Sequence, residues 1–382
     1  MRRLTIALIA VVGIALLAGL LGCGGKAAPT ITTASTLPTG EVGIAYSETL
    51  GASGGSGTYT TWSITAGTLP DGLSLDSATG VISGTPTTDG TTTITVQVTD
   101  SKGRTATEDL SITIAVAPTI TTTSPLPTGE VGIAYLEILE VSGGSGTYTN
   151  WSITSGTLPD GLSLVASFGV ILGTPTTAGT TTITVQVTDS LGGTGTKDLS
   201  LTIAAPPTIT TASPLPNGEV GIAYSETVEA SGGSGTYTTW SITSGTLPGG
   251  LSLGSSTGVI SGTPTIATTT TITVRVTDSL GGIGAGSLSL TIAAPPTITT
   301  TSPLPIGEIG IAYSEALQAS GGSGTYTTWS ITSGTLPDGL SLGSSTGVIS
   351  GIPTTAGTTT ITVQVTDSLG GTATKDLSVT IS

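Results

Sequence analysis

The chain has 382 residues, 58 of them glycine and 21 proline, with only 8% charged and a formal net charge of −15. It has no histidine and a single cysteine, which excludes disulfide-stapled domains and histidine-dependent catalysis. With 8 Lys and Arg against 23 Asp and Glu it has no basic patch for nucleic acid or an anionic lipid surface.

The chain opens with Arg2 and Arg3, then an apolar run from Leu4 to Leu21 interrupted only by Thr5, then Gly22-Cys23. A positive start followed by an apolar stretch is the layout of an export signal. The small residue before Cys23 resembles a bacterial lipobox, which implies lipidation of the Cys23 thiol and a mature chain beginning there. The expectation is a signal peptide over 1–22 and a lipid-anchored tether over 23–27. An uncleaved signal anchor and ordinary cleavage with release are the alternatives.

From Leu37 to Gly103 runs a block that recurs three more times at a step of 89 residues, without insertion or deletion. Tyr46 returns as Tyr135, Tyr224 and Tyr313, and Trp62 as Trp151, Trp240 and Trp329. That period exceeds the ~20–50 residues of a solenoid unit and approaches the ~100 residues of one immunoglobulin-like sandwich. Four small domains are expected, at 28–116, 117–205, 206–294 and 295–382.

Within the first repeat, Thr30-Ile31-Thr32-Thr33 predicts an entry strand. Val42, Ile44, Tyr46 and Leu50 share one parity and predict a strand with one buried face. Glu48 falls on the same parity, so it either bulges out or sits at the core rim. Ser53-Gly54-Gly55-Ser56-Gly57 predicts a loop needing positive φ or close backbone approach. Thr60, Trp62 and Ile64 form the next inward set, and Leu69-Pro70-Asp71-Gly72 is a turn. Leu73 and Leu75, then Val81 and Ile82, predict brief strands. Ile94, Val96 and Val98 alternate with Thr95, Gln97 and Thr99, the clearest half-buried strand in the chain. Asp100-Ser101-Lys102-Gly103 closes it, and Leu110, Ile112 and Ile114 mark the last strand. About seven short strands per repeat predict an all-β chain of four tandem sandwiches. The joints, such as Ala115-Val116-Ala117-Pro118, are brief and contain proline, which predicts stiff connections and a rod of about 150 Å.

Gly43-Ile44-Ala45-Tyr46, Gly54-Gly55 with Tyr59 and Trp62, Leu69-Pro70-Asp71-Gly72-Leu73, Gly80-Val81-Ile82-Ser83-Gly84-Thr85-Pro86 and Val98-Thr99-Asp100 together resemble the immunoglobulin-like repeat of bacterial surface proteins. That family is related to the dystroglycan-type cadherin-like group. The resemblance implies a β-sandwich, a cell-surface setting and a role in adhesion or spacing, with no single ligand implied.

Three acids occur in every repeat: Glu41, Glu48 and Asp100 with their counterparts. The strand-end Asp100, with its copies Asp189, Asp278 and Asp367, resembles the cadherin aspartate that binds interdomain calcium. Glu41, with Glu130, Glu219 and Glu308, is the second candidate ligand. The acidic linker of true cadherins is absent, and the alternative is an aspartate that bonds its own turn and a solvated glutamate. Tyr46 and Trp62 with their copies are expected to fill the cores, since a lone Trp between inward positions plugs a sandwich; stacking on sugar rings is the other reading of Trp62. No nucleophile has a positioned base, so no enzymatic activity is expected. The expected protein is a lipid-anchored envelope stalk or adhesion module, exposed outside the cytoplasm, whose partners are the membrane and a surface protein or polysaccharide. The other expectation is a calcium-binding cadherin-like adhesin or a glycan- or protein-binding module.

Overall fold

The computed structural model describes residues 27–382; Cys23 and the leader lie outside the described residues. Those residues fall into two compact units. The first runs to Thr119 and takes in Val141–Thr149 and Val187–Gly195; the second comprises Ile120–Glu140, Asn150–Gln186 and Thr196–Ser382. Every described element is a strand or a turn, and no described helix is long and apolar enough to cross a membrane.

In the first repeat the strands are β1 (Pro29–Ile31), β2 (Gly40–Glu41), β3 (Tyr46–Thr49), β4 (Ala52–Gly54), β5 (Tyr59–Ala66), β6 (Leu73–Leu75), β7 (Val81–Gly84), β8 (Gly90–Asp100) and β9 (Thr105–Ala115). One sheet has the order β2-β9-β8-β5, a second has β3-β7-β6, and β1 pairs with β4. β8 and β9 form a long antiparallel hairpin, in register from Gly90↔Ile114 to Thr99↔Thr105. Their alternation decides the fold: Ile94, Val96, Val98, Leu110, Ile112 and Ile114 all point inward and are buried, while the Thr-rich faces look out, as β-branched polar residues suit a half-solvated strand. Trp62 lies across from Val98 and is 4% exposed. Its indole packs on Gly80, where φ is +74° and a Cβ would come within 2.7–2.9 Å of the ring. Tyr46 is buried too, and its hydroxyl donates to the Pro38 carbonyl at 3.1 Å. The same plan recurs in the repeats beginning near Thr208 and Thr297, each with its own core around Trp240 or Trp329.

The structure departs from the sequence reading in three places. The parity set from Val42 to Leu50 is not one strand. Gly43 adopts φ +81° and the Ile44 N–H closes a turn onto the Glu41 carbonyl at 3.1 Å, so the chain changes sheets between β2 and β3. Val42 and Ile44 therefore sit at one end of the domain, not along a sheet face. The repeat also holds nine strands where about seven were expected, because the opening segments each give short pieces to different sheets. Thr60 is exposed and Glu48 half-buried, opposite Ile82 on β7.

Candidate functional site: the carboxyl pairs

β2 runs parallel to the end of β9, with Glu41 beside Ala115. That pairing carries Glu41 to the point where the first repeat ends. The β8–β9 turn lies at the opposite end of its domain, and there Asp100 caps the hairpin. The corresponding turn of the second repeat, Asp189 to Gly193, belongs to the same compact unit as Glu41, and the Glu41 carboxyl lies against Asp189. Glu130 meets Asp278 and Glu219 meets Asp367 in the same way. Glu41, Glu130 and Glu219 are each 1% exposed.

The aspartates are held from two sides. Asp189 accepts backbone N–H from Ser145 on one oxygen, at 2.5 Å, and from Leu191 and Gly193 on the other, at 3.0 and 2.9 Å. Asp278 accepts from Ser234, Leu280 and Gly282, and Asp367 from Ser323, Leu369 and Gly371. The Gly-Gly-Ser loop makes this cradle: Gly144 sits at φ +63° and a Cβ there would meet the Asp189 carboxylate at 2.5 Å. The Gly144 N–H also donates to the Val116 carbonyl at 2.7 Å, tying the loop to the joint.

The glutamates lack such donors. As carboxylates, neither oxygen of Glu41, Glu130 or Glu219 has a hydrogen-bond partner. Two adjoining carboxylates out of water cannot both stay ionised, so one holds a proton. The N–H cradle favours the charged form of the aspartate, which leaves the proton on the glutamate. Burial, then the hydrogen bond to Asp189 and its negative charge, push the Glu41 carboxyl up to about 7; Glu130 and Glu219 follow for the same reasons. Burial would raise Asp189 as well, but the Ser145 N–H, the Glu41 carboxyl and the Gly193 and Leu191 N–H groups hold it below the usual carboxylate value.

Space for the glutamate comes from one glycine. A Cβ on Gly193 would collide with the Glu41 carboxyl, as would one on Gly282 with Glu130 and on Gly371 with Glu219. No positive φ is needed at these positions. The glycine serves for room, not for backbone freedom.

Repeat 1 solves the same problem differently. Arg104 stands where the other repeats have Gly193, Gly282 and Gly371. Asp100 accepts N–H from Ser56, Lys102 and Arg104, and the Arg104 side chain supplies Nε at 3.0 Å and Nη2 at 2.7 Å. Burial acts to raise Asp100, but this guanidinium and the N–H groups hold it well below the usual carboxylate range. At the other extreme, Glu308 is exposed.

The sequence-predicted acids thus come together across repeats: Glu41 with Asp189, not with Asp100. Each joint brings two carboxylates, and among the described residues no three or more acidic, Cys or His side chains converge. Calcium takes about 6–8 oxygens, several of them anionic; the joint does not offer that donor set, and at Asp100 a guanidinium already provides the positive charge. Arg104 and the three glycines are the functional positions missed in the sequence. Their signal was the one basic residue in a column of glycines.

The family model described as "Putative Ig domain" matches residues 28–115, 117–204, 206–293 and 295–382. The chain is similar to the serine-rich adhesin for platelets of Staphylococcus aureus strain MSSA476, at 36% identity over 173 residues, covering 43% of this chain and 7% of that protein. The same adhesin of strain MRSA252 is 36% identical over 173 residues, covering 12% of its length. The chain therefore spans a small part of these relatives. Among solved structures, it is similar to Sidekick-1 immunoglobulin domains 1–5, at 16% identity and TM-score 0.38 over 93% of this chain and 81% of that one. The titin fragment I67–I69 matches at 14% identity and TM-score 0.34, over 70% and 99%. With the family model covering each repeat in turn, this chain belongs to the "Putative Ig domain" family, in four consecutive copies.

Proposed function

We propose that this protein is a non-catalytic adhesion module or stalk of a bacterial cell surface, anchored through a lipid on Cys23. The observation that carries this reading is the joint itself. Glu41, Glu130 and Glu219 are each buried against the next aspartate turn, with the Gly-Gly-Ser loop bonded to the connecting residues, so domains are coupled rather than tethered. Coupled sandwiches suit the display of a binding surface away from a membrane. The similarity to adhesins supports the surface role. The lipid anchor rests on the leader ending at Gly22-Cys23. The partner at the far side is a surface protein or polysaccharide, met by exposed loops.

The test is made on intact cells. Labelled palmitate should enter the protein only when Cys23 is present, and protease added outside should release the repeats. Cells lacking the protein should attach less to a partner surface. Unchanged membrane association of the Cys23→Ala protein would remove the anchor, and repeats shielded from protease on intact cells would remove the surface role.

A further inference from the structure

The second repeat carries an outer sheet face unlike that of its sisters. Its strands Tyr135–Ile138, Leu162–Val165 and Val170–Gly173 form one sheet. Leu136 pairs with Leu172 and Ile138 with Val170. On the other side of the central strand, Ser163 pairs with Leu172 and Val165 with Val170. Alternation turns Ile171 into the core, where it is fully buried, so these two rungs look outward. Leu136 is 65% exposed, Ile138 59% and Leu172 38%. Phe168, 74% exposed, stands beside them on the turn that its own N–H closes onto the Val165 carbonyl.

The core does not need these side chains. Repeat 3 forms the same sheet with Ser225, Thr227, Thr257 and Ser261 at the four exposed positions, and repeats 1 and 4 have Ser, Thr or Ala there. The one acid on this face elsewhere, Asp76 in repeat 1, is Val165 here. A contiguous apolar patch where three sister domains are small or polar marks a contact with another surface.

Size and charge select that surface. At about 150–250 Å² for a large side chain, the exposed parts of Leu136, Ile138, Phe168 and Leu172 offer roughly 350–600 Å². A standard interface buries about 800 Å² per partner, of which about 65% is apolar in homodimers, or roughly 500 Å². The face thus supplies the apolar share of one side of a reversible dimer. The chain carries a net charge of −15, so two copies repel over most of their surfaces. These rungs carry no charge: Glu137 lies opposite Ile171 on the inward alternation, and Glu140 comes beyond the end of the strand. Here two acidic chains can approach, and the identical patch on each suits a two-fold contact.

We propose that a second copy of this chain docks on the Leu136–Ile138–Phe168–Leu172 face, sheet against sheet, so that two chains pair through their second repeats. Burying apolar sheet faces against each other is the packing of a sandwich core, made here between molecules. The pairing does not rest on the lipid anchor.

The test uses residues 27–382, which hold all four cores and leave out the apolar leader. Wild-type protein should sediment as a monomer–dimer equilibrium with a dissociation constant of about 1–100 μM. Leu136→Ser, Ile138→Thr, Phe168→Thr and Leu172→Ser together copy repeat 3, so the domain keeps side chains with which its sister folds. This variant should dimerise at least about tenfold more weakly. Raising salt should tighten the wild-type dimer by screening the repulsion between acidic chains. Leu172→Cys, the sole cysteine in these residues, should cross-link copy to copy with a short bismaleimide, whereas Ser261→Cys at the same place in repeat 3 should not. Wild-type protein that is monomeric at about 1 mM, a dimer that survives the four substitutions or is weakened by salt, or equal cross-linking through Ser261→Cys overturns the proposal. A monomer that binds phosphatidylcholine vesicles, and loses them in the fourfold variant, overturns it too and gives the face to a lipid surface.

Discussion

The Glu41 carboxyl lies against the Asp189 carboxylate in a space that Gly193 leaves open. Three positions that are unremarkable singly, an acid on a two-residue strand, an acid at a hairpin turn and a glycine after it, make one joint.

The first prediction concerns pH. The folded protein holds the Glu41, Glu130 and Glu219 protons up to about 7, against an ordinary value of 4.5. A raised folded value means that the folded state binds more protons than the unfolded chain. Its contribution is full below about 4.5 and is lost as pH rises through about 7. The depressed aspartates act oppositely: their contribution is present above their ordinary value of 3.8 and lost in stronger acid. The thermal midpoint should therefore fall between about pH 5 and pH 8. Glu41→Gln, Glu130→Gln and Glu219→Gln together should flatten that slope, because the amide N–H replaces the titrating proton. A triple variant that keeps the full slope would show that the pH dependence arises elsewhere.

Gly193→Ala tests the room for the glutamate. The backbone there does not require glycine, and the nearest atoms a methyl group would meet are those of the Glu41 carboxyl. Overpacking of this kind costs about 1–3 kcal/mol. Hydrogen exchange should accelerate at the Asp189–Gly193 turn and at Glu41–Val42, with the Trp151 region unaffected. Adding Glu41→Ala should restore slow exchange at the turn; no recovery would mean that the methyl group acts through some other contact.

Trp62→Ala should remove about 3–5 kcal/mol from the first repeat, since the indole is 4% exposed and spans the core. Gly80→Ala should damage the same repeat from the opposite side, by pressing into the ring and by straining a backbone at φ +74°. Both are read by differential scanning, in which the other three repeats serve as internal references, and Gly80→Ala also by the fluorescence of Trp62. A first repeat that melts normally in either variant would contradict the packing described.

Calcium should have little effect. A ligand at 100 times its dissociation constant adds about 2.7 kcal/mol per site, a readily visible rise in midpoint. With two carboxylates per joint and one of them protonated below about 7, millimolar calcium and chelator should give the same melting curve in mildly acidic buffer. A clear rise with calcium, lost in Asp189→Asn, would instead place the cation between the paired carboxyls.

Much of the fold is legible because its signals are local. Ile94-Thr95-Val96-Gln97-Val98 alternates with period two, so β8 declares both its strand character and its buried face. The Val42-to-Tyr46 stretch alternates equally well and misleads, since parity carries no information on which sheet a residue joins. Gly43 was the correcting signal: a residue free to take φ +81° in the middle of an apparent strand. The site was legible only as a list of acids. Glu41 and Asp100 recur together in each repeat, which suggests that they meet, yet they mark opposite ends of one sandwich: Glu41 finds Asp189 in the next, while Asp100 pairs with Arg104 of its own repeat. No local pattern reports such a pairing. Only the contrast between Arg104 and Gly193, Gly282 and Gly371 points to it.

The strand Gly90–Asp100 has the same sequence as Gly179–Asp189 and Gly357–Asp367. During refolding these segments are interchangeable: a β9 hairpin partner has three chemically equal choices of β8, and nothing in side-chain pairing penalises the wrong one. Neighbouring domains of near-identical sequence are prone to such misassembly. Order of emergence supplies the discrimination that composition lacks. A chain delivered from its N-terminus completes the Gly90–Ala115 hairpin before its twin has appeared, whereas a chain diluted all at once from denaturant chooses among copies and accumulates strand-exchanged species. The near-identity of these strands thus makes the order in which the chain emerges part of what selects the correct pairing.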